Sequence, residues 1–132
     1  MKITADTNVL LRDALRDDPK QWLEASRTLQ QADRVAVSIS ALCEFVWVLR
    51  QGYGYSTGEI AGSMRLLLAS DKVVTNRLAA EAGLRVLDAG GDFADGAIAY
   101  EGEWLGAEEF VSFDKQAVRL LKTQGKRARL LG

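Results

Sequence analysis

The sequence contains no histidine. Ser-His-Asp and Cys-His catalysis are therefore excluded, as are histidine acid–base ribonuclease chemistry and the usual histidine-bearing zinc sites. A metal held by this chain would be held by oxygen, which points to Mg2+ or Mn2+. Cysteine occurs once, at Cys43, so no internal disulfide can form and a reducing cytoplasm is the expected compartment. Cys43 lies in an apolar segment, where a small buried thiol is the default reading. No run of about 18 apolar residues occurs, so no membrane span is expected. The opening MKITADTNVL carries an acid and an amide inside its first apolar run and does not read as a signal peptide. Pro19 is the only proline, and there is no repeat, low-complexity run or linker. The 132 residues suit one domain.

What is present is charge, unevenly placed. The net charge is only −1, but Glu81 to Asp114 holds nine acids and one base. Lys115 to the end holds six bases and no acid. A solvated face sorted by chance explains this as well as an acid site beside a basic binding surface does.

Short β-branched runs alternate with helical periodicity. KITA ends at Asp6, and a helix follows from Thr7 to Leu15. Asp18-Pro19 reads as an N-cap and first turn, with Trp22, Ala25, Leu29 and Ala32 on one face. RVAVS at 34–38 reads as a strand running into the apolar helix SALCEFVWVLRQGYG, ended by Gly52 and Gly54. Residues 56–69 read as helix, KVVT at 72–75 as strand, and 76–89 and Phe93–Trp104 as helices. EFVSF at 109–113 reads as strand, Asp114–Thr123 as helix and the terminal RLL as a last strand. This alternation predicts an α/β fold: a short parallel sheet of about five strands, flanked by helices on both faces. Ligand sites in such sheets lie beyond the carboxyl ends of the strands.

Asp6 and Asp114 each follow a strand and precede a helix. Taken singly, each is adequately explained as an N-cap. Asp92 suits an N-cap after Gly90-Gly91, and Asp95 falls at the third helical position. Glu44 is surrounded in sequence by Leu42, Cys43, Phe45, Val46, Trp47, Val48 and Leu49. That composition predicts a buried carboxylate needing a distant partner, either a base or a cation. Trp22 and Trp47 read as core, and Trp104 as packed or partly exposed. Several carboxylates gathered at one site repel unless a cation is present.

DTNVLLR at 6–12, the helix bearing Glu44, GGDFADGAIA at 90–99 and SFD at 112–114 together resemble the PIN-domain ribonucleases. In particular they resemble the VapC-type toxins of toxin–antitoxin pairs. The resemblance covers nearly the whole chain and implies one PIN domain over residues 1–132. It implies a metal-dependent endoribonuclease that hydrolyses RNA with an activated water, leaving 5′-phosphate and 3′-hydroxyl ends. Catalytic and metal-binding roles fall on Asp6, Glu44, Asp95 and Asp114, with Asp92 as an accessory metal acid. Asn8 and Ser112 are expected to order those acids through hydrogen bonds, Ser112 standing where the family more often has threonine. Gly96 stands where the family usually has a larger residue, which is expected to loosen the helix start. Mg2+ or Mn2+, a cognate antitoxin protein and a homodimer formed near residues 56–69 complete the set. Lys126, Arg127 and Arg129 are the expected RNA-binding bases. The rivals are a PIN nuclease for RNA maturation or single-stranded DNA, and a non-catalytic binding module. A receiver domain lacks its strand-end lysine, and a haloacid-dehalogenase-like phosphatase would need an acid where Asn8 stands.

Overall fold

The computed structural model describes all 132 residues, which divide into two compact units, Met1–Asn76 and Arg77–Gly132. In the first, β1 (Lys2–Thr4), β2 (Arg34–Ala36) and β3 (Val73–Val74) form a parallel sheet in the order β1-β2-β3. Ile3 stands beside Val35, and Val35 beside Val73. Between them run α1 (Thr7–Leu15), α2 (Pro19–Gln31), α3 (Ile39–Tyr53) and α4 (Thr57–Leu68). All four helices begin on an oxygen cap. Asp6, Asp18, Ser38 and Ser56 each accept a backbone N–H, and Ser56 forms a reciprocal capping box with Glu59. Leu10, Val35, Leu42, Phe45, Leu49, Ile60 and Met64 are buried and make the core of this unit.

The second unit contains α5 (Arg77–Asp88), α6 (Phe93–Trp104), β4 (Phe110–Ser112), α7 (Lys115–Thr123) and β5 (Ala128–Leu130). The strands β4 and β5 pair in parallel, with α7 as their crossover. Val86, Val118, Leu120, Leu121 and Ala128 pack into one apolar cluster. At Gly96 the helices α6 and α5 approach so closely that a Cβ would stand 2.3 Å from the carbonyl oxygen of Ala82. The expected loosening at Gly96 is therefore corrected: the missing side chain is what allows the two helices to pack.

The element order is as the sequence predicts, but the single sheet of about five strands flanked on both faces is not found. The five strands form two parallel sheets, one of three strands and one of two. Each strand is two or three residues long. Alternation of strands and helices predicts parallel pairing, but pairing partners are long-range and leave no mark on such short segments. No helix is long and apolar enough to cross a membrane.

Candidate functional site

In the first unit, Asp6 ends the strand segment and caps α1, with Oδ1 accepting the Val9 N–H at 3.1 Å. Ser38 does the same for α3, its Oγ accepting from Ala41 at 3.0 Å. These two helix starts and one flank of α3 surround an open pocket of about 360 Å3. Asp6, Asn8, Ser38, Ser40 and Glu44 supply its polar lining.

Glu44 is exposed, which corrects the burial expected of it. The buried residues of α3 are Ala41, Leu42, Phe45, Val46 and Leu49, and they cover one face. Glu44, Trp47 and Gln51 fall on the other face and are exposed. Apolar sequence neighbours do not bury Glu44, because each residue turns 100° about the helix axis. An exposed Glu44 charge needs no cation to offset it. What remains is position: Glu44 shares its pocket with Asp6. Thr7 Oγ1 donates to Glu44 Oε2 at 3.3 Å, a contact not foreseen from the sequence. Asn8 lines the same pocket.

In the second unit, Gly90 adopts φ 93 after α5, a left-handed conformation that glycine takes without Cβ strain. The turn delivers Asp92 to the start of α6, where Oδ1 accepts the Ala94 N–H at 3.1 Å. Asp95 follows in the first turn of α6. Asp114 caps α7 through Oδ1, which accepts from Gln116 and Ala117 at 2.9 and 3.1 Å. Gln116 Nε2 in turn donates to the Gly90 carbonyl at 3.1 Å, tying the two helix starts together. Ser112 Oγ accepts the Asp114 backbone N–H at 2.9 Å.

The consequence is electrostatic. Burial pushes the Asp95 carboxyl up to about 6, and the charges of Asp92 and Asp114 add to the rise. Perturbed carboxyls among like charges cluster at functional sites.

Capping and metal binding do not compete here, because a carboxylate has two oxygens. Asp6, Asp92 and Asp114 spend Oδ1 on backbone amides, and Oδ2 of each accepts no protein hydrogen bond. All the donors are hard oxygens, which suits Mg2+ or Mn2+. No group of three or more such side chains is drawn close enough to form a ready-made metal cage.

The basic candidates are less free than the sequence implied. Lys126 Nζ pairs with Glu103 at 3.1 Å, and Arg129 Nε with Glu109 at 2.9 Å. Arg127 is exposed and without an ion pair. A second pocket in the first unit, of about 390 Å3, contains none of the predicted acids. Its one acid is Asp13, whose carboxyl burial pushes up against the opposing pull of Arg16. The tryptophans also differ from expectation: Trp47 is 65% exposed and Trp104 76%, while Trp22 is half-buried under the Arg16 guanidinium. No family model matches this sequence, and no curated protein matches it.

Proposed function

We propose that this chain is a metal-dependent endoribonuclease of the PIN kind, acting as the toxin of a toxin–antitoxin pair. The observation that carries the reading is Asp95, half-buried and raised to about 6 in company with Asp92 and Asp114. It falls on the DFAD segment through which the sequence resembles that family. Asp6 and Glu44 in one pocket add the remaining acids of the motif.

Under this reading the acids that would hold Mg2+ or Mn2+ are Asp6 and Glu44 in the first unit and Asp95 and Asp114 in the second, with Asp92 as an accessory ligand. The bound cation supplies acidification of water and offsets negative charge on the reacting phosphate. The chain's own contribution is positioning. Two backbone amides fix Asp114 Oδ1, and Ser112 fixes the backbone beneath it. One amide fixes Asp6 Oδ1, and Thr7 restrains Glu44. Preset oxygens reduce the ordering cost of receiving a cation. A histidine-free chain suits this route, which needs neither an imidazole base nor the RNA 2′-hydroxyl as nucleophile.

A small antitoxin, a homodimer and a cytoplasmic location accompany the reading. Leu66, 78% exposed on α4, is consistent with an interface in the segment 56–69. The test is hydrolysis of total cellular RNA in Mg2+ or Mn2+. Discrete products ending in 5′-phosphate and lost with EDTA support the reading. Cutting of single-stranded DNA in preference to RNA would move the chain to the rival nuclease class. Tight RNA binding without cleavage would make it a binding module.

A further inference from the structure

Two exposed residues of α3, Trp47 and Arg50, follow Glu44 along the same helix and hold no part of the acid site. Trp47 lies one turn beyond Glu44, and Arg50 one turn beyond Trp47. At i, i+3 spacing their Cβ atoms are about 5–6 Å apart, and the three span about 9 Å of helix. All three are exposed. Glu44 and Val48 line the pocket that holds Asp6, and Trp47 lies one turn from Glu44 on the same exposed side of the helix.

An indole left 65% in water wastes a large apolar surface unless something covers it. Its immediate surroundings narrow the choice of cover. A protein-binding helix face would carry further apolar residues at i±3 and i±4. Here the residues at those spacings are Cys43, Glu44, Arg50 and Gln51. The ring is thus isolated between an acid and a base. Arg50 forms no ion pair and has only a long, 3.5 Å bond to Thr57 Oγ1, so its charge is uncompensated. This contrasts with Lys126 and Arg129, which acids already neutralise. A planar π-face beside an unpaired guanidinium suits one nucleotide, with the base stacked and the phosphate paired.

We infer that Trp47 and Arg50 form a substrate-positioning stripe for single-stranded RNA, the indole stacking on an unpaired base and the guanidinium meeting a backbone phosphate. The inference rests on the nuclease reading and locates the RNA surface on α3 rather than chiefly on the terminal bases. Bases in a duplex are already stacked and offer Trp47 no free face, so the stripe favours single strands.

The experiment measures anisotropy of a short labelled mixed-sequence single-stranded RNA, with Mg2+, in an Asp95→Asn background that leaves the RNA uncut. Adding Trp47→Ala is expected to weaken binding about tenfold, with Trp47→Phe retaining most of it. Arg50→Ala is expected to lower the salt dependence by roughly one phosphate contact. Thermal melting checks that each variant is folded, and as a surface change each should be. Equal affinity of Trp47→Ala and its parent, or an altered oligomeric state with RNA affinity unchanged, overturns the stripe. Cleavage of RNA by the wild-type chain is followed alongside. If cleavage persists while Trp47→Ala binds normally, only the stripe falls. If the wild-type chain neither binds nor cuts RNA, the nuclease reading falls and takes the stripe with it.

Discussion

The two units hold their acids in the same way and bury them differently. Asp6 in one, and Asp92 and Asp114 in the other, cap helices with one oxygen and leave the second open. Asp6 and Glu44 are exposed and face an open pocket. Asp95 is half-buried, one turn past one cap and within reach of the charge of another. Burial beside other acids raises the Asp95 carboxyl, and the packing of α5, α6 and α7 supplies that burial.

The largest effect that would sharpen this contrast is on catalysis. Asp95→Asn and Asp6→Asn should each lower RNA cleavage at least about a thousandfold. Cleavage unchanged in either variant would remove that acid from the reaction.

Next is Gly96→Ala. A Cβ there meets the Ala82 backbone at 2.3 Å and must push α6 from α5. A loss of about 2–3 kcal/mol in chemical denaturation is expected. A near-neutral result would show that the close helix contact does not set the burial of Asp95.

Ser112→Ala should cost about tenfold in activity or Mg2+ affinity with little change in melting, since it frees the backbone beneath Asp114. Thr7→Ala, acting on the exposed Glu44 through a 3.3 Å bond, should cost less. The reverse order would make the first unit the more tightly organised half.

The smallest effect concerns pH. The folded Asp95 carboxyl titrates at about 6, above the ordinary 3.8, so between those values the folded chain holds a proton that the unfolded chain has released. Stability from this group is therefore highest below about pH 4, falls as pH rises to about 6, and is level beyond. After solvent screening the change is about 1 kcal/mol. Asp17 and Glu59, held below their ordinary values by hydrogen bonds, act in the opposite sense. The measurement is thus the difference between wild type and Asp95→Asn in metal-free buffer across that range. Parallel pH profiles would show that burial of Asp95 has no energetic consequence.

Much of this was legible because it is local. The caps at Asp6, Asp18, Asp92 and Asp114 follow from aspartate's affinity for free amides at helix starts, and all four are found. The elements around them lie within a few residues of their expected bounds. What was not legible is long-range or angular. The division of the strands into two sheets depends on which short segments meet. The exposure of Glu44 and Trp47 depends on which side of α3 the core occupies. The Thr7–Glu44 bond joins residues 37 positions apart. The pairing of Lys126 and Arg129 with Glu103 and Glu109 likewise could not be read from a run of bases.

The most direct measurement is cleavage of total cellular RNA by the purified wild-type chain, with Mg2+ or Mn2+ and with EDTA, beside Asp95→Asn prepared identically. The account predicts discrete cuts with 5′-phosphate ends, abolished by EDTA and by the substitution. Products made equally well by Asp95→Asn would contradict it.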